Sequence, residues 1–380
     1  MHAAANTGNQ WVAVTLQMDA GLADPGAAWS ALFATPELLS ALAPLECVLL
    51  LATPAILTPA LLALLPPNRV LFAIDAAALA DGAAGRAIAA LQQAGYRILI
   101  DGAVPTGVAV PPTLRAVSRD CADGAGTPGA LLALFGPHLA RGVASAARQQ
   151  QCAGAGFGWF SGAYPLHPAP SPSPDAEATS SPRRLLSLLG LLAADAGTRE
   201  LESLLKQDAV LSYQLLKLVN SAAFAPGAPI TSFAQAIGLL GRRQLQRWLQ
   251  LLLFARPRHD GLANALLPLA ALRAAQMEAL CQQDGGTREA QDGAFMVGAF
   301  SLLDVLLKVP MADILDTLHL ADDSAAALRA RTGRLGQWLT LVERGTLQAG
   351  ELGAAGVTPG AWWHSQLHAH QWAIQVSRSV

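Results

Sequence analysis

The chain has 380 residues, 52% of them hydrophobic and only 14% charged, which excludes wholesale disorder and admits a large core in two domains. A formal net charge of −2 argues against a protein whose main task is to grip nucleic acid. The scarcity of charge leaves apolar surface to meet a partner, with a homodimer among the options. None of Cys47, Cys121, Cys152 and Cys281 falls in a CxxC pair, so a zinc knuckle or redox dithiol motif is not expected, and scattered thiols fit a reducing, cytoplasmic setting.

Met1–Gln10 has no basic segment leading into an apolar one, so no signal peptide is expected. Trp11–Met18 reads as a strand and Pro25–Ala43 as helix. Ala41–Leu65 is the most apolar stretch. A spanning helix there would have to absorb Glu46, Pro44, Pro54 and Pro59, so it reads as the strand Cys47–Ala52, a turn and the short helix Pro59–Leu65, and no membrane contact is expected. Arg69–Asp75 follows as a strand, Ala83–Ala94 as a helix and Tyr96–Asp101 as a strand. Such strand–helix repetition implies a parallel sheet covered by helices, and Val48–Leu51 is apolar on both faces as a sandwiched strand must be. After Asp101 the pattern weakens: Leu131–Phe135, Leu139–Val143 and Phe157–Phe160 read equally as later strands or short helices. A full eightfold barrel takes about 250 residues, so a reduced or incomplete β/α barrel is expected over residues 1–167.

Pro168–Pro182 holds five prolines and four serines and reads as an extended linker, 168–182. Beyond it, residues 183–380 are helical throughout, with segments at Leu185–Ala194, Arg199–Gln207, Leu211–Asn220, Arg242–Phe254, Leu266–Gln282, Gln291–Leu307, Met311–Leu318, Ser324–Ala330, Leu335–Glu343 and Trp362–Val376. Ser232 and Gln235 form a capping box ahead of Gly241. Many helices without strands predict an orthogonal helical bundle, so the fold class is α/β followed by all-α.

Lys206–Phe224 (KQDAVLSYQLLKLVNSAAF) resembles the core motif of the HDOD domain, and Thr231–Gly241 (TSFAQAIGLLG) is similar to that domain's next element. The resemblance covers most of 183–310 and implies a helical relative of the HD phosphohydrolases that is generally non-catalytic and serves bacterial signalling. In the first domain, Leu91–Gly102 (LQQAGYRILIDG), Leu139–Ala144 (LARGVA) and Gly156–Tyr164 (GFGWFSGAY) resemble segments of the EAL domain. The pairing resembles the EAL–HDOD signalling family, whose EAL domains are metal-dependent phosphodiesterases of cyclic di-GMP.

An EAL-type site needs several strand-end carboxylates to hold divalent cations that activate water. Aligned on the resemblance, Thr15 stands where the glutamate belongs, and the arginine after it is absent. Val48–Leu51 offers no polar ligand, Ala73 takes the next acidic position with Asp75 two residues on, and Asp101-Gly102 keeps one aspartate of a pair. Arg141 and Ala144 replace the late acids, and Ser161 the glutamine. Asp101, with Asp75 a doubtful second, cannot build a dinuclear site, and its plain role is to cap the following turn. In the helical domain Gly298–Asp304 aligns with the metal-binding helix of the HD enzymes. Ser301 or a leucine stands there in place of histidine, leaving Asp304 as a solvated helix residue. His364 and His368 lie one turn apart on a helix, His370 points elsewhere, and no HExxH motif, GxSxG elbow or phosphate-cradling loop is present. No catalytic, cofactor-binding or metal-binding residues are assigned, and no cofactor or enzymatic activity is expected.

Arg242, Arg243, Arg247, Arg256 and Arg258 gather within seventeen residues. They read either as a solvated helix face or as a docking surface for an acidic partner. Nucleic acid is the weaker option because no aromatic residues interleave for stacking. Trp338, Trp362, Trp363 and Trp372 either pack the last helices or anchor a partner. The resulting expectation is a non-catalytic scaffold that docks an unidentified signalling protein. The alternative is a sensor that binds cyclic di-GMP or another nucleotide without hydrolysis.

Overall fold

The computed structural model describes residues 1–18, 21–35, 37–111, 113–122, 136–168, 190, 235, 241–252, 254, 265–318, 320–344, 347 and 349–379. Contacts divide the chain into two compact units, Met1–Ala169 and Pro170–Val380.

The first unit runs β1 (His2–Asn6), β2 (Trp11–Gln17), α1 (Pro25–Phe33), α2 (Glu37–Ala41), β3 (Glu46–Leu51), α3 (Pro59–Leu62), β4 (Val70–Asp75), α4 (Gly82–Gln93), β5 (Arg97–Asp101), β6 (Ala116–Asp120), β7 (Leu139–Arg141), α5 (Ala146–Gly154) and β8 (Trp159–Phe160). The eight strands close into a barrel in chain order. β1 is antiparallel to both β2 and β8, and every other pair is parallel.

Closure corrects the expectation of an incomplete barrel. The two strands that sequence patterning missed are the polar β6 and the alanine-rich β1. Alanine favours helix, yet β1 is extended because the chain turns back on β2 immediately after it. Asn9 adopts a left-handed φ of 61°, and Asn6 Oδ1 accepts hydrogen bonds from the backbone of Gly8 (2.9 Å) and Gln10 (3.0 Å). Small residues then suit the interior, where Ala4 pairs with Ala13 and both pack with Val48, Leu71, Ala73, Leu99 and Leu139. Side-chain alternation places these residues inside and carries the same faces on to the strand ends. The helices start where side chains cap them: Asp24 accepts from Ala27 N, Asp81 from Ala83 N and Ser145 from Arg148 N. Gly162, just past β8, is obligatory, since a Cβ there would lie 2.4 Å from the backbone N and O of Val143.

The described part of the second unit comprises α6 (Arg242–Leu252), α7 (Leu266–Gln283), α8 (Arg288–Phe300), α9 (Leu303–Leu307), α10 (Met311–Thr317), α11 (Asp322–Ala330), α12 (Gly333–Glu343), α13 (Ala349–Ala354) and α14 (Pro359–Ser379). α7 is buried on almost every face and packs against α8 and α14. The α7–α8 crossing needs Gly298, whose Cβ would fall 2.5 Å from the Arg273 carbonyl oxygen. The helix expected over Gln291–Leu307 is two helices. Between them the Ser301 hydroxyl turns back to donate to the Gly298 carbonyl at 2.8 Å. The expected helices at Leu185–Ala194, Arg199–Gln207 and Leu211–Asn220, the Ser232–Gln235 capping box and the linker lie outside the described residues, apart from Pro168 and the helical Gly190 and Gln235. Leu131–Phe135 lies outside them too. Among the described residues no helix is long and apolar enough to cross a membrane.

Candidate functional site

The carboxyl ends of the parallel strands form one mouth of the barrel, where α/β barrels usually place their chemistry. Asp75 pairs with Asp101 across β4 and β5, and Asp101 with Ser118 across β5 and β6. Arg141 ends β7 on the same face as the inward Leu139. Its guanidinium donates to both oxygens of Asp101, at 2.7 and 2.8 Å, and its Nε donates to Ser118 Oγ at 3.0 Å. Both bonds to Asp101 come from Nη2, so one end of the guanidinium holds the carboxylate while Nε holds the serine. The Arg141–Asp101 pair is partly shielded, with the two side chains about one-quarter and one-fifth exposed (24% and 19%).

The expected role of Asp101 as a turn cap is therefore corrected: its carboxylate is taken by Arg141. Asp75 does the capping instead, accepting from Ala77 N at 2.8 Å in the 3-10 turn after β4. Arg119 donates to the carbonyls of Ile100 (3.1 Å) and Ser118 (3.0 Å). Burial pulls the pKa of that guanidinium down, and the nearby Asp101 charge opposes the shift. Thr15 is buried and donates to the His2 carbonyl at 3.0 Å, a structural bond between β1 and β2. Ser161 is buried, and its backbone pairs with Ala140 and Val143. At the opposite end Glu46 and Arg97, which begin β3 and β5, form an ion pair.

The resemblance of this region to the EAL domain implies divalent metal at this mouth, and the donor set does not fit it. Both oxygens of the Asp101 carboxylate are engaged by Arg141, and Asp75 is committed to its turn. Among the described residues no group of three or more His, Cys, Asp or Glu side chains could hold a metal ion. A guanidinium whose Nη2 bonds both oxygens of the would-be ligand adds positive charge where a cation would have to sit.

In the helical unit Ser301 is also met by an arginine. Arg273, on α7, donates to Ser301 Oγ at 3.0 Å and to Glu343 Oε1 at 3.2 Å. Arg331 donates to both oxygens of Glu343, at 2.9 and 2.8 Å. Burial lowers the Arg273 pKa, with Glu343 and, more weakly, Asp304 pulling it back. Asp304 is half-buried and accepts from Val305 N. His364 and His368 are exposed, whereas His370 is buried; His364 Nδ1 and His370 Nδ1 each lie 2.8 Å from the carbonyl four residues earlier.

The arginine cluster divides. Arg243 pairs with Asp292 at 2.5 Å, and Arg247 pairs with Glu278 and with Asp292 (3.1 Å) while stacking 5.0 Å above the Phe295 ring. These charges tie α6 to α7 and α8 and do not form a simple solvated face. Arg256, Arg258 and the side chain of Arg242 lie outside the described residues. Trp338 is buried, and Trp372 leans on Trp248 with ring centres 5.2 Å apart, so these two pack the bundle; Trp362 and Trp363 are half-buried.

The pairing of Arg141 with Asp101 is the feature that reading residues one position at a time missed. The signal was present: a basic residue replaces an acid at one inward strand end while a carboxylate survives at another.

Residues 180–289 match the family model of the HDOD domain. The chain is 34% identical over 145 residues to the cyclic di-GMP phosphodiesterase CdgJ of Vibrio cholerae, covering 37% of this chain and 32% of that protein. It is 33% identical over 143 residues to the uncharacterised protein YuxH of Bacillus subtilis, covering 37% of this chain and 34% of that one. The chain thus spans about a third of the length of these curated relatives. A crystal structure from Shewanella amazonensis, described provisionally as a metal-dependent phosphohydrolase, aligns with a TM-score of 0.33 at 12% identity, over 52% of this chain and 91% of that one. The CdgJ relationship corrects one expectation: the reading of the chain as no enzyme is overturned by a relative that bears the name of a phosphodiesterase.

Proposed function

We propose that the chain is a signalling protein of a cyclic di-GMP circuit, built as an EAL-like barrel followed by an HDOD-type orthogonal bundle, and that the bundle acts by docking another signalling protein. The observation that carries this reading is the HDOD match at 180–289 together with the relationship to CdgJ. Docking energy would come from apolar helix surface, in keeping with a chain only 14% charged. Arg243, whose side chain is 38% exposed, and its partner Asp292, 43% exposed, form a polar rim. The test is to remove the chain from its own cell and measure an output governed by cyclic di-GMP, together with stoichiometric co-purification on the full chain. The reading predicts a changed output and one retained partner. An unchanged output with no partner contradicts it.

A second reading, favoured by the name of the Vibrio relative, is that the protein cleaves the cyclic dinucleotide. Incubating the full chain with cyclic di-GMP and Mn²⁺ or Mg²⁺ and following the linear dinucleotide decides it. Catalytic turnover supports this reading, and product no faster than in protein-free buffer removes it.

A further inference from the structure

From the misfit between the barrel mouth and a divalent cation, we infer that Arg141 is the resident counter-charge of this barrel, doing with a guanidinium what a bound metal would otherwise do there. Asp101 is the inward carboxylate that a metal would need, and both its oxygens are already engaged by Arg141. The same guanidinium reaches Ser118, so one side chain on β7 links the ends of β5 and β6. A metal bridging strand ends would supply this cross-strand tie, and here it is built into the chain. A divalent ion approaching Asp101 would have to displace this guanidinium. Coulomb repulsion and the loss of two charge-assisted hydrogen bonds both oppose that. The mouth therefore keeps one arrangement whether or not divalent ions are present. This inference concerns the barrel alone and stands independently of the docking role of the helices.

The test uses the full chain and four variants: Arg141→Met, Arg141→Lys, Asp101→Asn and the Arg141→Met/Asp101→Asn double. Melting is followed with and without millimolar Mn²⁺ or Mg²⁺. The expected result is a wild-type Tm indifferent to either ion. Each methionine or asparagine single variant should melt about 3–8 °C lower. The double should melt no lower than the worse single, because the second substitution removes a group already left without its partner. Arg141→Lys, which keeps the charge but not the simultaneous hold on Asp101 and Ser118, should fall between wild type and Arg141→Met. It also keeps the test readable if the methionine variant does not fold. A wild-type Tm raised by Mn²⁺ or Mg²⁺, with the rise lost in Asp101→Asn, would overturn the inference. So would fully additive losses in the double.

Discussion

The barrel mouth and the interior of the helical unit meet the same electrostatic problem at different depths. At the mouth, Arg141 holds Asp101 with both side chains partly open to water. In the helical unit, Arg273 is 9% exposed and shares Glu343 with Arg331, while its other contact is the Ser301 hydroxyl. Both are places where resemblance to a metallohydrolase points to metal ligands, and in both a guanidinium now pairs with the neighbouring carboxylate. The difference lies in redundancy and burial. The shallow pair has one strong partner on each side, and the deep one is a network in which Glu343 keeps a second arginine if the first is removed.

That contrast can be broken by deleting each arginine in turn. Arg273→Met should have the largest effect, about 2–4 kcal/mol in urea unfolding. The site is buried, Ser301 keeps only its bond to the Gly298 carbonyl, and the surviving Arg331–Glu343 pair limits the damage. A loss under about 0.5 kcal/mol would show that the deep network contributes no more than a surface pair. Arg141→Met should cost less, about 1–2 kcal/mol, because water reaches the mouth and partly solvates the freed Asp101. If the order of the two losses were reversed, burial would not be what distinguishes the two sites.

The smallest effect sharpens the comparison through the barrel's thiols. Cys47 and Cys121 are buried, and burial pushes their thiol pKa values up to about 11 and about 12. In the unfolded chain thiols ionise near their ordinary value, so above about pH 9 unfolding releases protons that the folded barrel retains. Their stabilising contribution is fully present below that pH and fades as pH rises toward 11–12. The barrel should lose a few degrees of Tm between pH 8.5 and 10, and the native thiols should resist a maleimide reagent at pH 8. Rapid native labelling of Cys47 or Cys121 at pH 8 would contradict the burial that sets this sign.

Much of the barrel was legible because its central strands are written in unbroken apolar runs. Val48–Leu51 and Val70–Ile74 are buried on both faces and admit little other reading. β1 and β6 were not legible. His2–Asn6 is mostly alanine, and its strand depends on the Asn6–Asn9 turn and on the packing of Ala4 beside Ala13 in the barrel interior. Ala116–Asp120 carries polar Ser118, Arg119 and Asp120 for the mouth and the strand ends, so its composition reads as loop. In the helices, segment positions followed from leucine periodicity, and the break at Ser301 did not, since it depends on a hydroxyl folding back onto Gly298. The residues at the strand ends could be read from single positions. The position of Arg141 against Asp101 could not, because the two are forty residues apart and meet only through the parallel pairing of β5, β6 and β7.

The resident role of Arg141 can be read most directly from the magnetic resonance spectrum of Mn²⁺. Stoichiometric Mn²⁺ added to the full chain should keep the six-line signal of the hydrated ion undiminished in wild type and in Asp101→Asn alike. Quenching of that signal by the wild-type chain, with recovery in Asp101→Asn, would place the cation at the barrel mouth and contradict the account.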